Sequence, residues 1–499
     1  MATASGQEDP DDERDLLLYH DREDGERTSD DPNDANDRHL GLMSTIFLIT
    51  NRMIGTAIFS TPSSITASVG SAGAVLALWV LGLILSYCGL LIWIELGSLM
   101  PRSGGEKVYL EAAYPRPPML VTIIFAVHVI FLGFTGIGSV VVAENLLLAV
   151  NVSTNDMVKR GLALAVLASI AVIHINSRTW SVRIMNALAS VKILILVLII
   201  LAGVRALPGD LPQIPQPASG LRHPFAGSSR TVSNYTQALF KILATYQGWS
   251  NAAYVLDEVK DPRRTLKVAG ILGVAIVGVL YTMANVAYFI VATPEEISQT
   301  GVTVVALLIG KVFGDTMRWL TAILAALSSL GNLMTASYTM SRVVRQFAQE
   351  GRILPGGSFF AATASSGSPS WAFLLVFLSP TVMILFIPFG EVYNFLLDMG
   401  QYAVAIINVL VIVGLLLIRQ RNPLLQHPFR VWNGVIYVFL ATQVYLIVTP
   451  FTSIVAGPSL PPWLSSLMAI LVFLGAGVYW YGTRVGLRKR RRAMVEGAI

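Results

Sequence analysis

Residues 47–65 read FLITNRMIGTAIFSTPSSI. The stretch sits in an apolar run long enough to cross a bilayer. Yet near its middle it places Asn51 and Arg52, then Gly55 between Ile54 and Thr56, then Pro62. A helix in hydrocarbon must satisfy every backbone group within itself, so weak helix formers and a charge at that depth need a reason.

The rest of the chain supplies the context. Of its 499 residues, 54% are hydrophobic and 13% charged, with a mean hydropathy of +0.63. A soluble chain carries about 25% charged residues. With repeated apolar runs of spanning length, the composition describes an all-α polytopic membrane protein. Charge is split along the chain: residues 1–40 hold 14 acidic residues and four Arg, and the remainder holds 16 acidic residues against 31 Lys or Arg. The acidic segment 1–40 has few large apolar residues and reads as a disordered cytoplasmic tail without a signal-peptide pattern. The overall basicity is therefore a matter of membrane topology, and no nucleic-acid partner is expected. The one cysteine, Cys88, lies inside an apolar run.

About twelve transmembrane helices can be drawn, near 41–68, 72–99, 119–149, 161–176, 184–206, 235–257, 267–292, 318–347, 371–388, 391–418, 432–452 and 463–483. With both termini on the cytoplasmic side, the inner connections carry 21 Lys or Arg and the outer ones seven. That asymmetry sets the orientation. The sequons Asn151-Val-Ser and Asn234-Tyr-Thr then both fall outside, as candidate glycosylation sites at Asn151 and Asn234. A basic cytoplasmic tail, 485–499, closes the chain.

The sixth span, YTQALFKILATYQGWSNAAYVLDEV (235–259), repeats the oddity of the first. Gly55 stands beside Thr56 and Ala57. Gly248 stands among Thr245, Gln247, Ser250 and Asn251. Glycine-interrupted spans at matching positions of two halves point to a secondary transporter built from inverted repeats. Five spans in each half give repeats at 41–206 and 235–419, joined by an outer loop, 207–234, and followed by two further helices in 420–484. Unwinding a helix at mid-bilayer frees NH groups on one half-helix and carbonyls on the other. The NH ends suit a carboxylate and the carbonyl ends suit an ammonium. An α-amino acid carries both. The plainer role for either glycine alone is close helix packing.

The segments NRMIGTAIFSTPSSI, PRSGGEKVYLEAAYPRP, ALFKILATYQGWSNAAYVLDEVKDPRRTLK and ANVAYF resemble the fungal high-affinity methionine permeases, in the L-type amino-acid transporter branch of the amino acid–polyamine–organocation superfamily. The resemblance covers about residues 41–485. It implies the leucine-transporter-like fold and plasma-membrane uptake of a neutral amino acid, most of all L-methionine, by alternating access. Carried onto this chain, it implies that NH groups of Gly55, Thr56 and Ala57 meet the substrate carboxylate, and that carbonyls near Ile54 and around Ala244, Thr245, Tyr246, Gln247 and Gly248 meet its amino group. The chain departs from the family pattern at Ala57, where glycine is usual, and at Ala244, where L-type carriers place an aromatic gate.

Three charges bear on mechanism. Lys192, in ASVKILILVLII, matches a fifth-helix lysine that in sodium-independent relatives stands where sodium-coupled ones hold the ion. Its ammonium is expected on first-span carbonyls near Gly55, either coupling proton movement to transport or serving as a fixed structural pin. Arg52 is expected either to latch an inner gate with Asp257 or Glu258, or to reach the lipid headgroups. Glu95, near the inner end of the second span, reads as solvated at the membrane interface. No cofactor is implied: the sequence has no metal-ligand cluster, no phosphate-binding lysine loop and no nucleophile–base pairing, which argues against an enzyme. A disulfide-linked heavy subunit is not expected without an outer cysteine. A broader-specificity exchanger and an amino-acid-sensing receptor with little flux are the alternatives.

Overall fold

The computed structural model describes residues 38–133, 136, 138–151, 155–214, 216–300, 304–314, 317–349, 359–360, 362, 368–387, 391–452 and 461–496. Most of the expected 1–40 tail, and the inner connection around Arg352, lie outside the described residues. Eight of the described helices are individually long and apolar enough to cross a bilayer: Ala72–Leu99, Asp156–Asn176, Arg178–Ala206, Pro262–Val291, Trp319–Gln349, Asp398–Arg421, Asn433–Thr452 and Trp463–Thr483. These are the second, fourth, fifth, seventh, eighth, tenth, eleventh and twelfth spans.

The remaining four spans are short or broken; the breaks in the first and sixth are the expected ones, and those of the third and the shortness of the ninth are new. The first is two helices, Leu42–Met53 and Ala57–Val69, bent by 42°. The third is Leu120–Val127, a π-helical turn His128–Leu132, and Gly138–Ala149. The sixth is a helix, Val232–Thr245, a turn, and a 3-10 segment, Asn251–Glu258. The ninth is the 17-residue Ser370–Phe386. Twelve segments thus follow in the expected order. The last helix, Pro462–Glu496, runs on well beyond its expected end at 483 and takes in most of the basic tail.

Local chemistry sets the joints. Ser177 ends the fourth span and caps the fifth, its hydroxyl accepting from the Trp180 NH at 3.2 Å, so the two helices turn on one residue. Between spans seven and eight lie two short helices that hydropathy had not separated, Pro294–Gln299 and Val304–Phe313. The first opens with a Thr293/Glu296 capping box, and Lys311 of the second reaches Glu296 at 2.6 Å.

The interior is apolar and aromatic. Trp79, Tyr246 and Tyr281, from spans two, six and seven, meet with ring centroids 5.3–5.6 Å apart. Glu95 corrects the sequence reading. Its side chain is fully buried and clamped by the forked guanidinium of Arg419, by His427 at 3.0 Å, and by the Val431 NH at 2.8 Å. This joins the second span to the inner end of the tenth and to the connection leading to the eleventh. Removing one partner of a buried ion pair strands the other. Glu95→Ala is expected to destabilise the bundle by about 3–5 kcal/mol, read as thermal unfolding in detergent; an unshifted transition would contradict the assigned clamp.

Candidate functional site

The break in the first span sits at Ile54–Thr56. A helix leaves its last four carbonyls without partners. Here each freed carbonyl is met by a side chain from a neighbouring span. Lys192 Nζ donates to the Asn51 carbonyl at 2.7 Å and also to that of Ile54. Asn332 Nδ2 donates to the Arg52 carbonyl, the Tyr281 hydroxyl to that of Met53 at 2.9 Å, and the Ser328 hydroxyl to that of Gly55 at 3.1 Å. Five consecutive carbonyls are thereby held from spans five, seven and eight. The Asn51 side chain ties the same three-way junction, donating to the Met185 carbonyl at 3.2 Å and to Thr335 at 2.8 Å.

Lys192 is fully buried, as its position in an apolar run predicts, and its ammonium lies on the first-span carbonyls as expected. Room for it comes from Gly331 of the eighth span: a Cβ there would stand 2.8 Å from Lys192 Cε and 2.5 Å from Asn51 Oδ1. On the other side of the break, the helix from Ala57 has no side-chain cap, and Gly55, Thr56 and Ala57 are half-buried. Its first NH groups therefore face the break.

The sixth-span break meets the first span directly. Gly248 has φ +119°, a region closed to L side chains, and a Cβ there would lie 3.0 Å from both the Arg52 carbonyl carbon and the Met53 nitrogen. The sixth-span break thus packs at backbone distance against the last turn of the first half-helix, just before its own break. Beside this contact lies a cavity of about 320 Å³, at the small end of the roughly 300–1,000 Å³ usual for small-molecule sites. Spans three, six, eight, ten and eleven line it, with Ala244, Gln247, Gly248, Asn332 and Gln443 supplying polar surface and Phe125, Phe240 and Phe439 apolar surface.

The expected site residues divide. Ala244, Gln247, Gly248 and Arg52 line the cavity. Gly55, Thr56 and Ala57 stand at the break but outside the lining, and the Ile54 carbonyl is already held by Lys192. Tyr246 is turned into the Trp79–Tyr281 cluster, and Thr245 bonds back to the Lys241 carbonyl at 2.8 Å. The pairing of Arg52 with Asp257 or Glu258 is not what the structure shows. Arg52 donates to the Asn332 side-chain oxygen at 2.8 Å, while the Asp257 backbone NH donates to the Ser103 hydroxyl at 2.9 Å. Glu258 instead gathers Tyr338 at 2.6 Å, Arg342 at 3.0 Å, Arg178 at 3.6 Å and His39 at 3.7 Å. Its carbonyl also receives the Leu40 NH at 2.8 Å, so the N-terminal segment is fastened to the same end of the bundle. The sequence reading missed this hub because its members lie up to 303 positions apart, between His39 and Arg342.

Sequence reading also missed Glu106, in PRSGGEKVYLEA. It is buried and lines the cavity. Its Oε1 accepts from Trp93 Nε1 at 3.0 Å and from the Tyr254 hydroxyl at 2.9 Å, and its own backbone NH also favours the anion. Burial pushes its carboxyl up to about 7 against those hydrogen bonds. Of the sequons, Asn151 is exposed, whereas the Asn234 amide donates to Ser229 at 2.9 Å.

Residues 40–477 match the family described as Amino acid permease. The chain is 32% identical over 456 residues to the high-affinity methionine permease of Saccharomyces cerevisiae, spanning 90% of this chain and 79% of that one. It is 30% identical over 461 residues to the low-affinity methionine permease of the same yeast, at 89% and 82% coverage. The b(0,+)-type amino acid transporter 1 of Rattus norvegicus is 26% identical over 464 residues, at 89% and 87%.

Two substitutions test this geometry. Gly248→Ala drives a methyl into the first-span backbone and is expected to abolish transport, measured as uptake normalised to folded carrier at the surface; full uptake would contradict this packing. Lys192→Met leaves the Asn51 and Ile54 carbonyls bare, at about 1–3 kcal/mol for each buried orphan. A fall in the detergent unfolding temperature is expected, and an unchanged value would contradict the capping role.

Proposed function

Because the chain belongs to the amino acid permease family, and is a multi-pass membrane carrier of that class, we propose that its substrate is a neutral amino acid, L-methionine above others, taken up across the plasma membrane. The observation that carries this reading is the packing of the sixth-span break against the end of the first half-helix, next to that helix's own break and beside the 320 Å³ cavity. Residues 41–206 and 235–419 are read as inverted repeats whose broken helices meet there.

An α-amino acid fits such a junction. Its carboxylate takes the uncapped NH end at Gly55, Thr56 and Ala57. Its ammonium faces the carbonyl side of the sixth-span break at Ala244 and Gln247, the Ile54 carbonyl having a second lone pair to offer beyond Lys192. The side chain then lies among Phe125, Phe240 and Phe439, where a thioether gains contacts with aromatic rings. The two methionine permeases among the relatives support this choice of side chain.

Net uptake by alternating access requires an inner barrier that opens. The Glu258 hub supplies one, since it joins spans five, six and eight to the N-terminal segment. With both termini cytoplasmic, as the basic inner connections favour, this hub faces the cytosol and the exposed Asn151 faces out. We read uptake as proton-coupled, with Lys192 holding the first span where another carrier would hold a cation. Cys88, the only cysteine, is buried in the second span, which speaks for a carrier without a disulfide-linked partner.

Competition tests the assignment. Uptake of radiolabelled methionine is expected to be blocked by excess methionine, weakened by leucine or cysteine, and left intact by proline. Equal competition by all four would end the methionine assignment.

A further inference from the structure

We propose that Glu106 is a proton-binding residue of this carrier, loading and releasing a proton at the cavity wall beside Tyr254 of the sixth span. The inference rests on the proton-coupled reading above and names where the proton sits.

A group that exchanges protons during transport must meet the cavity. Lys192 does not line it: its ammonium is sealed against the Asn51 and Ile54 carbonyls. Glu106 does line it, at 5% exposure. The two carboxyl oxygens are treated unequally. Oε1 takes the two side-chain donors, Trp93 Nε1 and the Tyr254 hydroxyl, while Oε2 is buried with no hydrogen-bond partner of its own among the described residues. A carboxylate offers about four acceptor positions. Leaving one whole oxygen bare in a low-dielectric wall disfavours the anion and favours a proton on that oxygen. Once protonated, Oε2–H is a donor that needs only water or a substrate atom in the cavity. Loading moves one proton from cavity water onto Oε2, and release returns it; no other bond changes.

The surroundings tune this group. The second span contributes Trp93, with Glu95 two positions on, held by Arg419 and His427. The sixth contributes Tyr254, and Arg52 of the first lines the same cavity. On its own helix, Glu106–Ala113, lie Tyr109, Lys107 and Glu111, the last two paired at 3.1 Å. From the tenth span, Arg421 donates to the Ala113 carbonyl at that helix's end.

The loop also touches the part of the sixth span that must move. The NH groups of Gly104 and Gly105 donate to the Tyr254 and Ala253 carbonyls at 3.3 and 3.1 Å. Ionised, Glu106 draws the Tyr254 hydroxyl and Trp93 NH into charge-assisted bonds and grips Asn251–Glu258; neutral, it holds them less tightly. Proton loading is thereby linked to release of that inner half-helix. The carboxyl sits near 7 by burial, so both forms are within reach at physiological pH.

Full-length protein in liposomes tests this with radiolabelled L-methionine, in two assays: counterflow exchange, and accumulation driven by an inward proton gradient. Wild type is expected to do both, with a counterflow rate that titrates near neutrality. Glu106→Gln keeps a hydrogen-bond acceptor toward Trp93 and Tyr254; it is expected to exchange methionine with a flattened pH profile, and under a gradient to equilibrate it without accumulation. Trp93→Phe removes one bond to the anion and should move the midpoint of the pH profile up by roughly one unit. Gradient-driven accumulation by Glu106→Gln equal to wild type overturns the role of Glu106 and leaves the coupled reading standing. Wild type that exchanges methionine yet never accumulates it overturns the coupled reading, and this role with it. Should Glu106→Gln lack counterflow through misfolding, the Trp93→Phe profile decides, and an unshifted midpoint overturns the proposal.

Discussion

The structure depends on the capping of five consecutive carbonyls, from Asn51 to Gly55, by side chains of other helices. An unwound helix in hydrocarbon is unfavourable by several kcal/mol for each bare polar group. Here Lys192, Asn332, Tyr281 and Ser328 replace the missing intrahelical donors. Their helices, spans five, seven and eight, therefore cannot be placed independently of the first. Lys192 contributes most, since one ammonium serves two carbonyls and needs Gly331 opposite it for space. The carbonyl side of the break is thus closed by protein, while the NH side is left uncapped and half-buried. The asymmetry leaves the NH side free for a ligand anion.

The second break completes the arrangement because of one backbone angle. Gly248 turns at φ +119° directly over Arg52 and Met53, so the sixth-span break packs onto the last turn of the first half-helix, with no room for a side chain at that position. Polar backbone from both broken spans is then brought close together, next to a cavity lined by polar residues such as Asn332 and Gln443 as well as by aromatic ones. Two ionic clusters tie the surrounding spans to one another. Glu258 draws in Arg342, Arg178, Tyr338 and His39, and the Glu95–Arg419–His427 clamp holds the tenth span and its following connection. The Glu95 cluster is buried and the Glu258 cluster partly so; such clusters are strong while complete and destabilising when one member leaves. That property suits a barrier that must be either closed or open.

Much of this was legible in the sequence. The two glycine-interrupted spans, the count of twelve, and the placement of Lys192 on first-span carbonyls followed from hydropathy, from a charge in an apolar run, and from family resemblance. What was not legible depended on distant pairing. Glu95 and Arg419 are 324 positions apart, and nothing near Glu95 in sequence distinguishes a clamped carboxylate from a solvated one. Arg52 has acids within reach of its span in sequence, yet its partner is the amide of Asn332. Tyr246 sits in the polar cluster of the sixth break, but its ring turns into the Trp79–Tyr281 group, a direction that sequence spacing alone does not set. The 3-10 form of Asn251–Glu258 and the π-turn at His128–Leu132 were hidden for the same reason: apolar residues continue through both.

The central claim is that the uncapped end of the first-span break is where the substrate's carboxylate is held. An experimental structure of the full-length protein with L-methionine bound tests it most directly. The account predicts a carboxylate within hydrogen-bond distance of the NH groups at Gly55, Thr56 and Ala57, with the ammonium on the sixth-span side. Methionine found away from both breaks, or bound through a side-chain guanidinium with these NH groups turned from it, would contradict the account.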